Sequence, residues 1–204
     1  MYSSINKMYY ILMRIFILRH EDRTQDCSFF SPLTKKGLEN SEVLIKYLEQ
    51  YNINLIFSSP FIRTLQTIYP YSKKNNIKIN LEYGLVEIHH EDLIPIKSIG
   101  MYLPEYIAEN FNYNSEYKTI IKPTDIKYKE RQQDVDKRMK HIIKILLERY
   151  GNDKNKNILL VTHQSLCHTV AKIIKPNEKD KDYGKGYITE IFDTDNWVWK
   201  PINY

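Results

Sequence analysis

The 204-residue chain has only two cysteines, Cys27 and Cys167, far apart and in no CxxC or zinc-ligand spacing. That excludes a disulfide scaffold and a cysteine-built zinc site, and it fits a reduced, cytoplasmic setting. Glycine is scarce, at 6 residues, and no internal repeat is visible, which argues against a solenoid. No long hydrophobic run occurs either. The stretch from Met8 to Leu18 is broken by Arg14 and closed by Arg19-His20. It is too short to span a bilayer and is followed by no small-residue cleavage site, so it reads as a buried strand, not a signal or membrane segment. The net charge of +5 is spread along the chain without a dense basic run; this gives no case for nucleic acid and leaves room for small anionic ligands.

What is present has the rhythm of an α/β protein. The apolar run Met13 to Leu18 suits a strand buried on both faces. Thr34 caps a predicted helix to about Tyr51, with Leu38, Val43, Leu44, Tyr47 and Leu48 as its apolar stripe. Asn54 to Phe57 is a second strand, after which Ser59 and Pro60 are expected to cap and open a helix. Ile77, Ile79 and Leu81 alternate as a third strand. Val135 to Tyr150 forms an amphipathic helix, with Met139, Ile142, Ile143, Leu146 and Leu147 inward and Gly151 as its stop. Asn157 to Thr162 is another buried strand, and Ser165 to Ile174 another helix. Tyr187 to Phe192 and Trp197 to Trp199 read as two antiparallel strands, the tryptophans serving a core or an interface patch. These elements predict one domain over 1–204, a three-layer αβα sandwich on a largely parallel sheet. The stretch of about 91–134, rich in proline, tyrosine and asparagine, breaks the rhythm and is read as an insertion over the active site. Tyr102, Tyr106 and Tyr113 are expected at the mouth.

Arg19-His20 falls at the end of the first strand, His163 at the end of the strand 158–162, and Arg63 in the helix after Ser59-Pro60. Ligands of open α/β sheets bind beyond the carboxyl ends of strands, so these groups are expected to converge. Phosphoryl transfer requires cationic groups around the equatorial oxygens and an in-line nucleophile. Arginines supply forked donors, a neutral imidazole can attack phosphorus, and a carboxyl group, for which Glu87 is the candidate, can protonate the leaving oxygen. Glu82, Glu91 and Asp92 compete with Glu87 for that role. His89 and His90, adjacent in sequence, are read as loop or rim groups without a metal.

The chain resembles the histidine phosphatase superfamily, also called phosphoglycerate mutase-like. The resemblance rests on Leu18-Arg19-His20, Leu33-Thr34-Lys35-Lys36-Gly37, Ser58-Ser59-Pro60-Phe61-Ile62-Arg63-Thr64-Leu65-Gln66-Thr67, Glu82-Tyr83-Gly84-Leu85-Val86-Glu87 and Val161-Thr162-His163. It implies a phosphohistidine on His20, phosphate binding by Arg19 and Arg63, phosphoryl contacts from His163, and acid-base work by Glu87, with no metal or organic cofactor. The Glu-x-Gly-Leu-x-Glu run and Arg23 look closer to the phosphatases that suppress T-cell receptor signalling, and they add Arg23 as a phosphate ligand.

Cofactor-dependent phosphoglycerate mutases, which need a 2,3-bisphosphoglycerate primer, carry Ser-x-Trp-Asn where this chain has Thr24-Gln25-Asp26-Cys27. Hydrolysis of a phosphorylated small molecule or phosphoprotein is therefore expected over mutase activity. No nucleic-acid or membrane partner is expected, and the aromatic tail permits a homodimer. One departure stands out: Glu21 follows the nucleophile where the family has glycine. A carboxylate there that pointed into the pocket would oppose a phosphate dianion. It is the feature that motivates a further alternative, a catalytically weak phospho-ligand or protein-binding module.

Overall fold

The computed structural model describes residues 13–26, 28–91, 102–153, 155–174, 185, 188–191 and 198–200. Cys27, Asp92, Trp197 and the first part of the 91–134 stretch lie outside the described residues. So do the side chains of the last two strands, and with them the expected role of Trp199.

Six strands form one sheet in the order β3-β2-β4-β1-β5-β6. They are β1 Arg14–Arg19, β2 Leu55–Ser58, β3 Ile79–Leu81, β4 Asn157–Thr162, β5 Ile188–Ile191 and β6 Val198–Lys200. The first four are parallel, with β1 beside β4 and β4 beside β2, whereas β5 and β6 join antiparallel, as the tail pattern predicts. Strands buried on both faces explain the unbroken apolar runs. Phe16, Leu18, Ile56, Leu159 and Val161 face one core, while Ile15, Ile17, Phe57, Ile158 and Leu160 face the other. Helices α1 (Lys35–Glu49) and α2 (Ile62–Asn75) cover the first face, and α4 (Gln132–Tyr150) and α5 (Gln164–Ile174) cover the second. The short α3, Glu105–Ala108, belongs to the predicted insertion.

Several local expectations change. Thr34 does cap α1, its hydroxyl accepting from the Gly37 amide at 3.1 Å. The inward stripe, however, is Gly37, Ser41, Leu44 and Leu48, and Leu38 and Val43 are exposed. Helical phase decides this: 37, 41, 44 and 48 share one face, which 38 and 43 leave. Helix α2 starts at Ile62 after an extended Phe61, so Ser59 is not its cap and Pro60 precedes its first turn. Residues before proline avoid the helical region, and the Leu65 amide takes Phe61 as the first helical carbonyl at 3.2 Å. Gly151 ends α4 with an ordinary right-handed φ of −56°. A Cβ there would lie 2.5 Å from the Leu147 carbonyl oxygen, so close approach, not a left-handed turn, excludes a side chain. The described part of the 91–134 stretch packs along the β3 edge, where Asn114 donates to Ile79 and Asn80.

Candidate active site

His20 continues the β1 ladder by one bond, its amide donating to the Thr162 carbonyl at 3.0 Å. The next amide, of Glu21, donates to Thr67 Oγ1 at 3.0 Å, which ties the turn to α2. The His20 ring is buried, and its Nδ1 lies 2.7 Å from the Glu21 carbonyl oxygen. A carbonyl can only accept, so Nδ1 carries the proton and Nε2 keeps a lone pair. Arg63 Nε donates to that Nε2 at 3.3 Å, while its Nη1 donates to the Ser28 carbonyl at 2.9 Å and its guanidinium covers the Phe61 ring. Burial, then Arg63, with lesser contributions from Arg19 and Arg23, hold the His20 pKa well below the ordinary histidine value; the Glu21 carbonyl opposes them. The imidazole is therefore neutral.

His163 follows β4 and is fully buried, its ring edge-on to His20 with centroids 5.2 Å apart. Its Nε2 is 3.0 Å from Ser59 Oγ, and Phe61 packs against it at 4.8 Å. Burial first, then Arg63, lower its pKa too. Glu87 reaches the same place from the segment after β3. Its Oε2 lies 3.9 Å from His163 Nδ1, and its Oε1 accepts from the Ser165 hydroxyl at the start of α5 and from the Ile88 amide. His20, Arg63, His163 and Glu87 thus meet at the carboxyl end of the parallel strands. Arg19 and Arg23 are half-buried, and their charges act on His20; Arg23 also donates to the Thr24 carbonyl at 2.6 Å.

The competing carboxylates separate cleanly. Glu82 is fully buried and accepts from Tyr117, Thr119, Gly84 and the amides of Ile120 and Ile121; it anchors residues 117–121. Glu91 is exposed and paired with Lys129. Glu21 is fully buried, and its Oε2 accepts from Asn40 Nδ2 of α1 at 3.1 Å. Nor does its Cβ strain the turn, because the described non-glycine residues with positive φ are Asn52, Asn76 and Asn112. A helix start can offer free amides to an anion, but the Ser59-Pro60 turn is not arranged that way. The helix begins later, and its first amide, of Ile62, donates to the Phe29 carbonyl at 3.3 Å.

Five participants escape sequence reasoning. Ser59, read as a cap, instead presents its hydroxyl to His163. Ser165 holds Glu87, and Asn40 holds Glu21. Arg138 and Glu130 form a buried ion pair at 2.8 Å beside the Glu87 segment. Arg138 left one signal, a cation at i+3 from Val135 and i−4 from Ile142 on the inward face of a helix. His89 is buried with a polar ring nitrogen, and among the described residues no group of three or more histidines, cysteines or acids could hold a metal ion. No described helix is long and apolar enough to cross a membrane.

A parallel sheet flanked by helices, with two neutral histidines and an arginine at its carboxyl end, defines the class of protein. The profile of the histidine phosphatase superfamily (branch 1) matches residues 20–182; the chain belongs to that superfamily. Among solved structures, the ecdysone phosphate phosphatase of Bombix mori superposes with a TM-score of 0.67 at 13% identity, covering 92% of each chain. YhfR of Bacillus stearothermophilus gives 0.65 at 20% identity over 93% of this chain and 96% of its own. A phosphoglycerate mutase from Bacillus anthracis str. Sterne gives 0.66 at 18% identity, over 93% and 92%. Likenesses at these identities establish the phosphoglycerate mutase-like fold. The transcription factor tau 55 kDa subunit of Saccharomyces cerevisiae is 27% identical over 143 residues, 65% of this chain and 31% of that protein. The chain thus spans about a third of the length of that curated relative.

Proposed function

We propose that the chain is a phosphomonoesterase that works through a phosphohistidine on His20 and needs no metal. One observation carries the reading: the Nδ1–H of a neutral His20 is spent on the Glu21 carbonyl, leaving Nε2 as the lone pair, with Arg63 beside it. The Nε2 lone pair attacks phosphorus as the ester P–O bond breaks, and the Glu87 carboxyl gives its proton to the departing oxygen. Water then loses a proton to the Glu87 carboxylate and attacks phosphorus; the P–N bond breaks, and inorganic phosphate leaves. Arg63, Arg19, Arg23 and His163 hold the phosphoryl oxygens through both steps. The substrate is a phosphate monoester, of a small molecule or a phosphoprotein, and no organic cofactor takes part.

His20→Ala, assayed on 4-nitrophenyl phosphate in EDTA, is expected to lose about a thousandfold or more in kcat. Full activity in that variant rejects the mechanism. A coupled assay with 3-phosphoglycerate and a bisphosphoglycerate primer tests the mutase alternative, whose signature is transfer far faster than hydrolysis. The binding-module alternative draws on Glu21 and on the transcription-factor relative. It weakens because Glu21 is tied to Asn40 on α1, and it predicts stoichiometric phosphate-ester binding without turnover.

A further inference from the structure

The acid-base carboxylate of the proposed reaction sits on the segment 84–89, which lies after β3 at the edge of the sheet. Both ends of that segment are gripped by one buried ion pair. Arg138 of α4 donates through Nη1 to the Gly84 carbonyl at 2.6 Å, and through Nε and Nη2 to the two Glu130 oxygens at 2.8 and 3.0 Å. Glu130 Oε2 accepts from the His89 amide at 2.9 Å, and the Glu130 amide donates to the His89 carbonyl at 2.9 Å. Neither partner is more than 6% exposed. Gly84 lets the helix come this close, since a Cβ there would lie 2.3 Å from Ile142 Cδ1. Between the two grips, the Leu85 carbonyl accepts from Thr162 Oγ1 at 2.8 Å, and Glu87 meets Ser165 and faces His163.

We propose that Arg138 and Glu130 are positioning residues for Glu87: the pair fixes the 84–89 segment at Gly84 and His89, so that the carboxyl group stands where the leaving oxygen departs. The proposal rests on Glu87 as the acid of the proposed function. The chemistry makes it specific. A misplaced acid harms only those esters whose leaving oxygen needs a proton, whereas a loosened core or a damaged phosphate pocket harms all esters alike.

The test compares kcat/KM, which reports transfer to His20, for 4-nitrophenyl phosphate and for glycerol phosphate, whose alkoxide leaves poorly without protonation. The variants are Arg138→Lys, which keeps the charge but loses the planar fork, and the doubly neutral Arg138→Met/Glu130→Gln, which strands no buried charge. Each is expected to lose about tenfold or more on the alkyl ester and less than about threefold on the nitrophenyl ester. If the double variant is unfolded at the assay temperature by circular dichroism, Glu130→Gln alone is read by the same ratio. Equal losses on both esters, or no loss on either, overturn the positioning role. Glu87→Gln separates the two ideas: no leaving-group split there removes Glu87 as the acid, while a split there without one in the Arg138 variants removes the positioning role alone.

Discussion

The two ends of the sheet differ in how they treat charge. At the amino end, between the last turns of α4 and α5, Ile143, Leu147 and Ile173 line a groove of about 490 Å³ together with Lys140, Lys144 and Glu148. Its charges are solvated, and Lys144 pairs with Glu148 at 3.7 Å along the helix. At the carboxyl end the histidines are buried and neutral, and Arg63, 3% exposed, is set against one of them. Burying ionisable groups is costly. Among the described residues, His20, His163 and Arg63 bear that cost together where four parallel strands end, and that concentration marks the candidate site.

The comparison can be pressed hardest at Arg63. Arg63→Met is expected to lower kcat/KM by about two orders of magnitude, through lost phosphate contacts. Arg63 also depresses His20, so its removal raises the His20 pKa and shifts the acid limb of the pH–kcat/KM profile upward. An unmoved limb would mean that the arginine does not act on the nucleophile.

His89 sharpens the contrast through stability. Burial lowers its pKa to about 4, with Arg138 adding to the shift and Glu130 opposing it. The unfolded chain binds a proton on this side chain near pH 6.5 and the folded one only near 4, so falling pH through that window favours unfolding. The penalty is on the order of 3 kcal/mol at its full extent. His89→Leu removes it, and urea melts at neutral pH and near pH 4 should converge by that amount relative to the unaltered chain.

The smallest effect belongs to the groove. Leu147→Ala, on its wall, should cost about 1–2 kcal/mol in a urea melt and leave kcat/KM within a factor of about two. A large loss of turnover would couple the two ends and undo the contrast.

The strands were legible because both faces are buried, which writes each one as a continuous apolar run, Ile15 to Leu18 or Ile158 to Val161. His20, Arg63 and His163 were legible because each follows closely on a strand end or opens a helix. What sequence hides is direction. Ser59 reads as a cap by position, and only the register of β2 against β4 shows its hydroxyl aimed at His163. Leu38 and Val43 read as core by type, yet the phase of α1 turns them outward. Glu82 and Glu87 belong to one motif and are chemically alike, and only the third dimension sends one to residues 117–121 and the other to the pocket. Arg138 and Glu130 lie far along the chain from the segment they grip, so no local pattern joins them to it.

Under the proposed mechanism, the bond from Arg63 Nε to His20 Nε2 would guard the attacking atom. The electron pair that would react is engaged by an N–H, and a doubly negative group that drew the guanidinium to itself would free it. Stray neutral electrophiles bring no such lure, so selectivity for phosphate dianions would be exercised at the attacking atom as well as in the surrounding field.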